Sequence, residues 1–359
     1  MNQRNVGLDL LRLLAMFMVV LLHVNNWGGL LKNTTFQINF LSIYFFESFS
    51  IVAVNCFILI SGFFLIKQNF RLNKLISLIL EVCAYSWLCF MVALIIKTPM
   101  DIKTVIRGLF TITTGFHWFI TCYIILYILF PFINKFIYSL SLIQKHIFAV
   151  ILLFLFCIWS IIPNISAQTA FFGYNVLWVT VLYYFGAYIR VVFVDVENKN
   201  MFFNKMYKFS GYGYIIFSLT TLVLMCILNS IGKSVFSALN YNNLFVFLAS
   251  ICLFLFMYKL NIKNNYIKKL IIFFAPASFG VFLISDNIFA IYYQKIYLNK
   301  EFFLQSFNMP IMVLICAACI FLLCLLISSL FHKKIFDFSD KYLYCLCKKV
   351  FHNIQNLLK

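Results

Sequence analysis

An acid, a guanidinium and an imidazole stand in one apolar stretch near the start of the chain: Gly7-Leu8-Asp9-Leu10-Leu11-Arg12, ten further residues, then His23. Each costs free energy at membrane depth unless it has a partner or a cavity. Arg12 and His23 are eleven residues apart. On a helix, at about 100° per residue, this returns them to within roughly 20° of one face, about 16 Å apart along the axis. Asp9, one turn before Arg12, shares that side. The spacing suits an anion held by Arg12 near one membrane surface and a proton exchanged at His23 towards the other. A second reading stays open, in which Asp9 and Arg12 flank the helix and His23 packs between helices.

Three more ionisable groups fall at a comparable depth once the apolar runs are laid across a bilayer: Glu47, His117 and Asp286. Two imidazoles and two carboxylates at one level are what acid–base work on a hydroxyl requires, one group taking the proton while another orients it. Their lateral positions are not readable from sequence. Hydrogen bonds between helices would explain Glu47 and Asp286 equally well, and His117 beside Trp118 also suits a membrane interface. On the other side, the loop Lys67-Gln68-Asn69-Phe70-Arg71-Leu72-Asn73-Lys74 is basic and suits phosphate groups, although basic loops on the inner side are the rule in membrane proteins. Cys316-Ala317-Ala318-Cys319 lies in an apolar run without nearby histidines, so no metal is expected.

The elements that must position these groups follow from composition. The chain has 359 residues, 64% hydrophobic and 11% charged, with mean hydropathy +0.98. No soluble core hides so much apolar surface, so the fold class is an all-α integral membrane protein. Ten segments are long enough to span, near 8–27, 41–66, 75–96, 117–138, 146–163, 173–194, 210–230, 241–258, 270–294 and 309–331. With the N-terminus inside, 21 of the 28 Lys and Arg residues fall on the inner side and 7 on the outer, which places both termini in the cytoplasm. The net charge of +18 thus follows topology, and no nucleic-acid partner is expected. Asp9 and Arg12 interrupt the first apolar run and no small-x-small site follows, so it reads as an uncleaved span. The 12 cysteines are scattered through apolar runs and read as small buried hydrophobes. Residues 1–331 form the transmembrane domain, and 332–359 a basic amphipathic cytoplasmic tail drawn to anionic membrane lipid. The segment Lys97 to Gly115, with apolar groups at helical spacing, is expected to lie along the outer surface. No period of 20 to 50 residues emerges.

At these residues the chain resembles the membrane-bound acyltransferase family 3. Arg12, ten residues and His23 resemble that family's opening Arg-x10-His motif. Val54-Asn55-Cys56-Phe57-Ile58-Leu59-Ile60-Ser61-Gly62-Phe63 is similar to its Phe-x-x-x-Ser-Gly-Phe segment. Arg71 and Lys74 resemble its Arg-x-x-Arg, with lysine at the second position. The stretch from His117-Trp118-Phe119 through Tyr127 to Pro131 is similar to its Trp-Phe…Tyr…Pro pattern. Ser278 to Asn287 resembles its ninth-span motif, except that Phe282 and Ser285 stand where the family has Tyr and His. Any part played by that second histidine is therefore absent or passes to Asp286. Lysine at 74 keeps the charge but loses the bidentate fork.

The resemblance, which covers most of the chain, implies a stand-alone, multi-pass O-acyltransferase of the bacterial cytoplasmic (inner) membrane. It implies an acyl-CoA donor, most simply acetyl-CoA, with phosphates at Arg71, Lys74 and Arg12 and the pantetheine arm lined by Asn55 and Ser61. It implies His23, with Arg12 and Asp9, as the catalytic group, taking a proton from an acceptor hydroxyl or carrying the acyl group itself. Glu47, His117, Trp118 and Asp286 would serve the acceptor, a sugar of a surface polysaccharide or a lipid-linked precursor, with Trp118 and Tyr123 stacking on sugar rings. A proton-coupled glycan or lipid transporter is the alternative, with His23, Glu47 and Asp286 as relays. A non-catalytic partner in a glycan assembly complex is the third reading.

Overall fold

The computed structural model describes residues 4–33, 37–195, 201–298 and 306–338. Among them every regular element is helical, the expected answer where lipid cannot satisfy an unpaired N–H or C=O. Among the described residues ten helices are long and apolar enough to cross a membrane: Val6–Trp27, Asn39–Leu65, Leu72–Ile95, Trp118–Ser139, Leu142–Ile161, Val176–Val194, Tyr207–Ser230, Val235–Lys259, Asn265–Ser285 and Met309–His332. These are called the first to tenth spans. Their ends fall within about six residues of those read from sequence, with one exception, the C-terminal end of the ninth.

The exception is the ninth. The sequence reading carries it to residue 294, but the helix stops at Ser285, and a separate helix, Ile288–Leu298, follows. The cause is local. Asn287 turns its side-chain oxygen onto the backbone N–H of Phe289 at 3.2 Å, so it caps the next helix instead of continuing the last one. Asp286 is left at the corner. The second span is also interrupted, between Gln37–Ser50 and Ala53–Leu65. The tenth helix runs on to Phe338, into the tail expected from residue 332; residues 339–359 of that tail lie outside the described residues.

The first span is the axle of the bundle, packed against the second, eighth, ninth and tenth spans. Leu8, Leu11, Ala15 and Val24 are wholly buried there. The second and sixth spans approach more closely than side chains allow. A Cβ on Gly62 would stand 2.2 Å from the Tyr183 carbonyl oxygen, and one on Gly186 would stand 2.3 Å from that of Leu59. This contact fixes Ser61, the neighbour of Gly62, at its depth. The stretch expected along the outer surface holds a short helix, Ile102–Leu109, whose N-cap Asp101 accepts from the Thr104 N–H at 2.9 Å.

Candidate active site

Two cavities lie one after the other along the first span. The one near its end, about 400 Å³, is walled by His23, Glu47, Trp118 and Asp286 together with Trp27, Tyr174 and Tyr241. Its centre is the corner after the ninth span. Asp286 Oδ1 stands 3.5 Å from His23 Nδ1 and accepts from the Trp27 indole N–H at 3.3 Å. The Asp286 backbone carbonyl stands 3.2 Å from His117 Nε2. A carbonyl only accepts, so that ring nitrogen carries its proton. The broken helix thus lets one residue meet His23 with its carboxylate and His117 with its main chain. Nδ1 of each histidine is buried and makes no hydrogen bond among the described residues.

Glu47 reaches the same cavity from the second span. It is buried, and its carboxylate accepts from the Asn25 side-chain amide at 2.9 Å, which ties it to the first span. Phe282 fills the space between the two imidazoles, its ring centroid 6.2 Å from that of His23 and 5.3 Å from that of His117. Ser285 is buried away from the cavity, its carbonyl accepting from Gln294 at 2.8 Å. Neither departure from the resembled motif therefore offers a titrating group here, and Asp286 is the carboxylate beside His23. Burial holds the imidazole of His117, one residue ahead of the fourth span, below its ordinary pKa despite the nearby Asp286. It is a neutral donor at pH 7. Burial likewise pushes the Tyr174 phenol up, so it too stays protonated.

The second cavity, about 460 Å³, lies near the start of the first span and is walled by Arg12, Ser61, Lys74, Glu81, Tyr123 and His332. Arg12 Nη1 stands 2.9 Å from Asp9 Oδ1. Asp9 is buried, takes a second bond from Arg4, and does not line the cavity. It stands behind Arg12 and meets the cavity only through that guanidinium. Ser61 donates to the Phe57 carbonyl at 2.9 Å and sits 3.4 Å from the Tyr123 hydroxyl.

Two of the residues expected to meet a donor do not reach this cavity. Asn55 is wholly buried between helices, donating to the Tyr241 carbonyl at 2.9 Å and accepting from the Trp178 indole at 3.2 Å. It is a strut, not a channel wall. Arg71 is exposed at the N-cap of the third span and does not line the cavity; its carbonyl accepts from Tyr127, which does, at 3.3 Å. Tyr123, expected to stack on a sugar beside Trp118, faces the Arg12 cavity instead.

Sequence reasoning also missed residues. Glu81 is a buried acid, 3.0 Å from His332 Nδ1. The signal was available, since Glu81 interrupts an apolar run just as Asp9 does. Trp27, Asn25, Tyr174 and Tyr241 carry no such signal, because aromatic and amide side chains at helix ends are ordinary. Among the described residues no three His, Cys, Asp or Glu side chains gather as a metal site would need. The two cavities have Phe57, Phe119 and Phe279 in common.

A family model described as an acyltransferase domain, that of acyltransferase family 3, matches residues 5–329. Neither a curated protein nor a solved structure matches the chain.

Proposed function

Because the chain belongs to the membrane acyltransferase family 3, we propose that it is an O-acyltransferase that moves an acyl group, most simply acetyl, from acyl-CoA to a hydroxyl of a surface or lipid-linked glycan. One observation carries this reading: a cavity holding Arg12 and Lys74 and a histidine–carboxylate cavity follow one another along a single helix and meet at a shared wall. In the Arg12 cavity, Arg12 and Lys74 offer donors to the phosphates of the coenzyme. Arg71, exposed at the cavity's edge, would meet the nucleotide end. In the His23 cavity, His23 takes the acceptor's proton.

The chemistry follows from the contacts. Asp286 lies beside Nδ1 of His23, so Nε2 is the nitrogen left for the substrate. As the acceptor hydroxyl attacks the thioester carbonyl, its proton passes to His23 Nε2 and the nearby carboxylate stabilises the imidazolium. A new C–O bond forms, the C–S bond breaks, and the coenzyme leaves as a thiolate that takes up the proton. His117 and Trp27 hold Asp286 in place, while Trp118, Tyr174 and Tyr241 offer faces and hydroxyls to a sugar. With both termini in the cytoplasm, as the charge asymmetry favours, the donor enters from inside the bacterial cytoplasmic membrane and the acceptor stands towards the outside.

Mass spectrometry of surface glycans from cells with and without the gene tests the reading. The expected result is a loss of one acyl group per repeat in the deletion, restored by the wild-type gene and not by His23→Ala. Identical glycans in all strains would refute it.

A further inference from the structure

Resting on that reading, we propose that Phe57, Phe119 and Phe279 form the passage through which the acyl thioester reaches His23, and that these three rings restrict the transferred group to short acyl chains. They come from three different spans, the second, fourth and ninth. Each lines both cavities. Each is only partly buried, whereas neighbours such as Leu59 and Val281 are wholly buried. Empty space therefore lies on either side of the rings, where core side chains would have contacts.

Phe119 shows what that space permits. Its ring stacks on Tyr123, centroids 6.0 Å apart, and meets Phe282 edge-on at 6.1 Å. Tyr123 lines only the Arg12 cavity and Phe282 only the His23 cavity, so the ring has an aromatic partner on each side. Phe279 also lies against Phe282, at 6.4 Å. A small shift of a ring held this way keeps most of its contacts. The acyl end of the donor parts the rings to reach the His23 cavity, and a two-carbon group needs the smallest displacement. A longer chain is not rejected by affinity, because apolar walls favour added methylenes. It is rejected because the rings cannot move far enough without overpacking their neighbours.

The test uses membranes that contain the full-length protein and its natural glycan acceptor, supplied with acetyl-, butanoyl- or octanoyl-CoA labelled in the acyl group. Label transferred to glycan is counted for wild type, Phe119→Ala, Phe279→Ala and the milder Phe119→Leu, which keeps an apolar side chain if the alanine variant folds poorly. Wild type is expected to prefer acetyl strongly. Each alanine variant is expected to raise the octanoyl-to-acetyl ratio by about tenfold or more, with Phe119→Leu between. The added transfer is expected to vanish when His23→Ala is combined with Phe119→Ala. Equal use of octanoyl and acetyl by wild type overturns the proposal, as does an unchanged ratio in Phe279→Ala and Phe119→Leu, and in either case the acyltransferase reading stands. No transfer of any acyl group by wild type overturns both.

Discussion

At the scale of single residues, the proposed reaction rests on His23 and the groups behind it. Replacing His23 with alanine is expected to lower transfer by about 10² to 10⁴-fold, the usual range for a positioned acid–base group, while leaving expression and membrane insertion unchanged. Asp286→Asn keeps the side-chain shape and the Asp286 carbonyl that His117 reads; it removes only the charge beside His23. Its expected signature is a fall in turnover with little change in the apparent KM for donor, together with a shifted pH–rate profile. Arg12→Ala is expected to do the opposite, raising the KM for acyl-CoA more than it lowers turnover. Arg12→Lys should recover only part of the loss, because the ammonium lacks the fork that meets Asp9 and a phosphate together. Steady-state kinetics on membranes distinguishes these outcomes. Equal effects of both substitutions on both constants would contradict the division of labour between the cavities.

At the scale of elements, two devices set where these residues sit. The contact of Gly62 with the sixth span leaves no room for a methyl, since the nearest atom is a backbone carbonyl oxygen at 2.2 Å. Gly62→Ala is expected to destabilise the protein by about 1–3 kcal/mol through overpacking, seen as a lower unfolding midpoint in detergent; an unchanged midpoint would mean that the two spans part easily. The surface helix Ile102–Leu109 depends on its cap. Hydrogen bonds from Thr104 hold the Asp101 carboxyl below the usual range. A carboxyl lowered on folding stabilises the folded state fully above its unfolded value, and that support is lost as pH falls through the lowered folded value. Amide exchange across residues 102–109, corrected for its intrinsic pH dependence, should therefore rise in acid for the wild type. In Asp101→Asn, which caps without titrating, it should not.

The spans themselves were legible, because a run of about 20 apolar residues has few other uses. The break in the ninth was not. Ser285-Asp286-Asn287 is polar enough to end a helix, yet it sits inside an apolar stretch that a hydropathy reading passes through, and only the Asn287 cap decides the matter.

At the scale of the whole molecule, the groups that share a level along the first span could be read from sequence, and the lateral packing of the spans could not. Helical periodicity put Arg12 and His23 on one stripe, and charge counting assigned depths to Glu47, His117 and Asp286. Nothing in the sequence joins residues 117 and 286, which meet only because the fourth and ninth spans pack near one end of the first. The same blindness misplaced Asn55, because a polar residue on a helix faces a cavity or a neighbouring backbone with the same spacing. The charge asymmetry, 21 basic residues against 7, makes its own prediction: a reporter fused to the N-terminus should be reached only from the cytoplasm. Labelling from outside alone would invert the direction of transfer proposed for the cavities.

Between Arg12 and His23 the first span contains neither proline nor glycine, and it forms one unbroken helix. Such a rod does not shorten or fold, so it acts as a ruler, keeping the two side chains about 16 Å apart along its axis. On the proposed reading, a carrier must match this fixed interval between its charged end and its reactive carbonyl. A truncated thioester that bears the same acetyl group but ends before its phosphates would still react at His23, but it would arrive there unanchored.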